Sequence, residues 1–130
     1  AILAPGDQVI SVPGYQSLSE LALGIGCEVD YWDPSRDDQG SLCFDVDALE
    51  ALLASKPRAR LVVVNFPHNP TGKTLAPREF ERVVAMCRDR GIHLFCDEMY
   101  RLLEYKASDR LPSGVDCYEK AVVLSGVSKT

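Results

Sequence analysis

The chain has 130 residues, a length that fits one domain, and its 46% hydrophobic and 25% charged content is ordinary for globular material. A formal net charge of −5 argues against nucleic acid or an anionic membrane as its partner. There is no run of about 18 apolar residues and no signal-peptide pattern, so neither membrane spanning nor export is expected. The five cysteines (Cys27, Cys43, Cys87, Cys96 and Cys117) are odd in number and form no C-x-x-C pair. Several lie inside apolar segments, which predicts reduced thiols and a cytoplasmic location.

Taken in chain order, the pattern alternates between strands and helices. Residues 8–12 read as a strand after a Pro-Gly-Asp turn, and 15–23 as a helix with Leu18, Leu21 and Ala22 on one face. Gly24 and Gly26 are expected to break that helix. A short strand at 27–32 precedes "DPSRDDQGS" (33–41), a loop by composition. Asp45 suits the N-cap of a helix running through Ala54, in which Leu49, Leu52 and Leu53 recur at helical spacing. "ARLVVVNF" (59–66) is apolar on both faces, as a buried parallel strand requires. A turn-rich loop (67–77) leads to Pro77 in the first turn of a helix striped by Phe80, Val83, Val84 and Cys87, with Gly91 just past its end. Residues 92–96 and 120–124 read as two further strands. The segment 101–119 between them is irregular, with a short helix near Cys117. Such alternation predicts βαβ units in a three-layer α/β/α fold with a mostly parallel sheet.

Open parallel sheets bind ligands at the carboxyl ends of their strands. Four groups of residues fall there: 13–15, Asn69, Asp97 with Tyr100, and 125–129. "LFCDEMY" (94–100) poses the sharpest question, because it ends an apolar strand in a carboxylate, which is costly to bury without a cation. Taken singly, Asp97 also suits an N-cap or a surface acid, Asn69 a turn before Pro70, Tyr15 a core or helix-start position, and Lys129 a solvated chain end. His68 and His93 read as structural or solvent-facing and form no metal site.

"NPTG" at 69–72, "DExY" at 97–100 and "SGVSKT" at 125–130 each follow a predicted strand. With "PGYQSL" at 13–18 and "GCEV" at 26–29, these motifs resemble the large domain of the fold type I, pyridoxal-phosphate-dependent aminotransferases (class I/II). The resemblance spans essentially all 130 residues. It implies amino-group transfer between an amino acid and a 2-oxo acid, with pyridoxal 5′-phosphate as cofactor. Lys129 matches the Schiff-base lysine, and Asp97 the carboxylate that keeps the pyridine nitrogen protonated. Tyr100 and Asn69 match the groups that hydrogen-bond the cofactor's phenolic oxygen, and Tyr15 the aromatic that stacks on its ring. The family's phosphate-binding serine falls at Gly126 here, with Ser125 and Ser128 nearby as alternatives. Glu98 is expected to make a structural or solvent contact.

Other family parts find no match. The Gly-rich phosphate loop, the arginine after the lysine and the small domain with its carboxylate-binding arginine are expected outside residues 1–130. The chain therefore reads as the central segment of a large, cofactor-binding domain in a longer, homodimeric parent, and as inactive when isolated. The same cofactor site serves β-eliminating lyases and synthases, and aminotransferase-like effector domains of transcription regulators, so these remain alternatives.

Overall fold

The computed structural model describes residues 1–129. The elements run β1 (Gln8–Ser11), α1 (Ser17–Ile25), β2 (Glu28–Tyr31), β3 (Ser35–Arg36), β4 (Leu42–Cys43) and α2 (Val46–Ser55). They continue with β5 (Ala59–Asn65), α3 (Pro77–Arg90), β6 (His93–Asp97), a 3-10 turn at Ala107–Asp109, α4 (Gly114–Cys117) and β7 (Ala121–Leu124). Five strands form one sheet in the order β2-β1-β5-β6-β7, with every pairing parallel. After β1 the chain adds β2 on one side and later β5 on the other, so strand order reverses between β1 and β5. A crevice opens at such a reversal, outside the carboxyl ends of the strands.

Alternation along each strand divides the core between the two faces. Ile10, Val12, Val62, Val64, Leu94 and Cys96 face α2 and α3, which bury Leu49, Leu53, Phe80, Val83 and Cys87 against them. Val9 and Val63 face the other way, toward Ala22 of α1. The expected three layers and mostly parallel sheet are therefore present. Helix ends follow their local signals. Asp45 Oδ1 accepts from Asp47 N (2.9 Å) at the start of α2. Glu79 Oε2 accepts from Ala76 N (2.7 Å) at the start of α3, and Gly91 closes that helix at φ 65°.

Three local expectations change. Helix α1 begins at Ser17 and passes through Gly24, and Gly26 ends it in the left-handed conformation at φ 93°. Its buried positions are the small Ser19 and Ala22, while Leu21 is 74% exposed. Close packing on Val9 and Val63 favours the small side chains and turns the leucine outward. The segment 33–41 contains β3, which pairs antiparallel with β4. Asp37 Oδ1 accepts from Gln39 N and Ser41 N (both 2.9 Å), closing the turn that composition marked as loop.

Candidate active site

Parallel pairing brings the carboxyl ends of β1, β5, β6 and β7 to one edge. The register sets Asn65 beside Asp97, and Asp97 beside Leu124. Asp97 is only 4% exposed. Its Oδ1 accepts from Met99 N (3.1 Å), and no ion pair among the described residues engages it. Burial pushes its carboxyl above the usual carboxylate range, while the Met99 N–H pulls it partly back. The end of β6 thus holds a buried carboxylate without a cation.

Glu98 differs from its neighbour. Its Oε1 accepts from Gly114 N (2.8 Å) and Ser113 Oγ (3.0 Å), and Oε2 lies 3.7 Å from Arg101 Nε. It secures the start of α4, the structural contact expected of it.

The loops after β1 and β5 are tied together. His68 is buried, with Nε2 2.6 Å from the Pro13 carbonyl and Nδ1 2.9 Å from Thr71 Oγ1. A carbonyl only accepts, so Nε2 carries a proton, and in the neutral ring that burial favours Nδ1 accepts from the threonine hydroxyl. Burial lowers the His68 pKa, partly opposed by the Pro13 contact. The Phe44 ring packs edge-on against the imidazole, centroids 4.8 Å apart. Next to Pro13, Gly14 sits at φ 118°, where a β-carbon would overlap the Asn69 carbonyl oxygen and press Pro70 Cδ at 3.1 Å. Only glycine permits this approach.

These elements enclose a cleft of about 410 Å³ lined by Tyr15, Asn69, Asp97, Met99, Tyr100, Leu124, Ser128 and Lys129. Tyr15, Asn69, Asp97, Tyr100 and Lys129, all singled out from the sequence, meet here. Ser125 is exposed and lies off the lining, whereas Ser128 is on it. Lys129 Nζ stands 5.8 Å from the centroid of the Tyr100 ring. Thr130, the last residue of the SGVSKT motif, lies outside the described residues. Sequence reasoning missed Met99 and Leu124, since an apolar residue beside a motif looks like any core residue. In the structure a β-carbon on Gly126 would come within 3.0 Å of the Met99 Sδ and Cε, so that glycine makes room for it. A second cavity of about 340 Å³ shares Asn69 and Tyr100 with the first and is bordered by Glu104 and Asp109.

The size of the cleft falls within the roughly 300–1,000 Å³ of small-molecule sites. An acid without a cation, an amide, a phenol, a serine and an amine converge on it. That set suits a ligand with a cationic nitrogen, a hydrogen-bonding oxygen and an electrophilic carbon.

Known proteins are similar to this chain in sequence and in fold. The family model for aminotransferase class I and II matches residues 1–130. A probable N-acetyl-LL-diaminopimelate aminotransferase of Bacillus subtilis (strain 168) is 32% identical over 135 residues, covering 99% of this chain and 32% of the relative. Kynurenine–oxoglutarate transaminase 1 of Mus musculus is 44% identical over 139 residues, covering 100% of this chain and 33% of the relative. The crystal structure of a PLP-dependent aminotransferase from Streptococcus suis 89-1591 superposes with a TM-score of 0.84 at 29% identity, covering 98% of this chain and 33% of that one. The chain spans about a third of the length of the curated relatives it matches.

Proposed function

The chain belongs to the class I and II aminotransferases, and from that membership we propose that the whole protein transfers an amino group between an amino acid and a 2-oxo acid with pyridoxal 5′-phosphate. The observation that carries the reading is Asp97, a carboxylate 4% exposed on the lining of the cleft and in no ion pair with a described residue. The other lining groups fit the same cofactor. The Asn69 side-chain amide and the Tyr100 hydroxyl take part in no hydrogen bond to another described residue, which leaves both free for a ligand.

When bound, pyridoxal phosphate supplies an electron sink for the pair left at the substrate α-carbon. In this reading Asp97 holds the proton on the ring nitrogen by direct charge pairing. Asn69 and Tyr100 would hydrogen-bond the phenolic oxygen, and Tyr15 would cover the ring. Ser128, on the lining, is better placed than Ser125 to meet the phosphate. Lys129 would hold the cofactor covalently through its side-chain amine, and the same amine, when displaced by the substrate's, would move a proton at the substrate α-carbon.

Residues 1–130 are the central segment of the cofactor-binding domain in this reading. The coverage of about a third of each relative supports that assignment. The phosphate loop, its arginine partner and the small domain belong to the rest of the protein, which acts as a homodimer. The five free cysteines support a reducing, cytoplasmic setting. Assaying the whole protein against a panel of amino acids with 2-oxoglutarate tests the activity. Glutamate formed over multiple turnovers is expected. Ammonia or thiol released without glutamate would assign the protein to elimination chemistry instead.

A further inference from the structure

Asn65 is the last residue of β5 and only 1% exposed. It lies off the lining of the cleft, and a core strand there needs no amide. Its two polar atoms have separate tasks. Nδ2 donates to the Asp97 backbone carbonyl (3.2 Å), and Oδ1 accepts from the Asn69 backbone N–H (2.7 Å). The partners fix the orientation of the amide, because a backbone N–H only donates and a carbonyl only accepts. We infer that Asn65 is a positioning residue that locks the Asn69 loop to the end of the Asp97 strand, and so sets the relation between two groups of the cleft.

The chemistry restricts which side chain fills this role. It must present one donor and one acceptor from the same short stem. Leucine offers neither, aspartate keeps only the acceptor, and glutamine carries the same atoms one methylene too far. Each backbone group, buried at Asp97 and partly buried at Asn69, also depends on Asn65, since loss of its partner leaves it unsatisfied. The adjoining contacts hold the two ends that Asn65 joins. Glu98 N donates to Leu124 O (2.8 Å) on the strand side, and His68 N donates to Lys73 O (2.7 Å) on the loop side. Neither contact crosses from loop to strand, as Asn65 does.

The lock itself is a matter of hydrogen bonds within the chain. Its consequence for cofactor binding rests on the function proposed above, so the test has two arms. In the whole protein without cofactor, Asn65→Leu is expected to speed amide hydrogen exchange at Asn69 by about tenfold. Exchange within β5 and β6 should stay unchanged, which general destabilisation would not allow. Asn65→Asp keeps the acceptor and should leave Asn69 slow, so the inference remains testable even if the leucine variant fails to fold. With pyridoxal phosphate added, both variants should bind at least about tenfold more weakly and shift the absorbance of the bound cofactor, because the Asp97 carbonyl has lost its donor in each. Unchanged exchange at Asn69 in Asn65→Leu would overturn the inference, as would fast exchange in a folded Asn65→Asp. If the unsubstituted protein binds no pyridoxal phosphate, the cofactor reading falls, and the exchange arm alone decides for or against Asn65.

Discussion

Asp97 carries opposite consequences for stability and for binding. Its folded-state pKa is raised by burial, so its stabilising contribution is complete below the ordinary carboxylate value of about 3.9 and is lost as pH rises through the folded value. Above that folded value the ligand-free protein holds a charge it would be more stable without. An asparagine in place of the acid would still accept from Met99 N through its amide oxygen. We expect Asp97→Asn to stabilise the ligand-free protein at pH 7 by about 1–3 kcal/mol, the range for a buried polar group short of partners. The same change should weaken pyridoxal phosphate binding. Thermal denaturation with and without cofactor checks both signs, and an Asp97→Asn protein no more stable than its parent would contradict the account. Gly14 is a second residue with a sharp expectation. At φ 118°, with the Asn69 carbonyl against it, Gly14→Ala should cost more than about 1 kcal/mol and displace the Asn69 loop. Chemical denaturation and cofactor titration of that variant should both register the change.

Among the elements, the four-residue α4, secured at its start by Glu98, also depends on a close approach to the sheet. A β-carbon on Gly114 would lie 2.6 Å from Cys96 Sγ and 3.3 Å from its Cβ. Neither atom can retreat, since Cys96 is 3% exposed in the middle of β6. Gly114→Ala is expected to destabilise by about 1–3 kcal/mol through overpacking, measurable by urea denaturation. A neutral result would mean that α4 slides freely on the sheet. What could be read from the sequence at this level follows the strength of each local signal. Strand β5 was legible because apolar residues on both faces admit few alternatives. Helix α3 was legible because Pro77 and Gly91 bracket a regular stripe. Leu21 was misplaced because periodicity marks a face without saying whether small or large residues meet the sheet. The β3–β4 pair was missed because two-residue strands leave no pattern beneath strong turn residues. In the cleft, polar residues within motifs were found and apolar ones were not. Asn65 escaped notice because its importance lies in backbone partners 4 and 32 residues away.

The whole molecule gathers its candidate site at one edge of a parallel sheet, where strand order reverses and four carboxyl ends meet. That arrangement supplies the acid, the amide, the phenol and the amine, but no arginine lines the cleft among the described residues. Phosphate is held best by charge-assisted hydrogen bonds, and with Lys129 committed to the aldehyde this lining offers Ser128 for that role. The 130-residue chain expressed alone should therefore bind pyridoxal phosphate weakly and show no measurable transamination. Equilibrium titration and an amino-acid panel check this. Tight stoichiometric binding with multiple turnovers would show that this segment needs no help from the rest of the protein.

The central claim is that this edge holds pyridoxal phosphate through Lys129. The most direct test treats the whole protein with pyridoxal phosphate, reduces it with borohydride and maps the modified peptide. The expected result is a phosphopyridoxyl group on Lys129, with Lys56, Lys73, Lys106 and Lys120 unmodified. An adduct on another lysine, with Lys129 free, would contradict the claim.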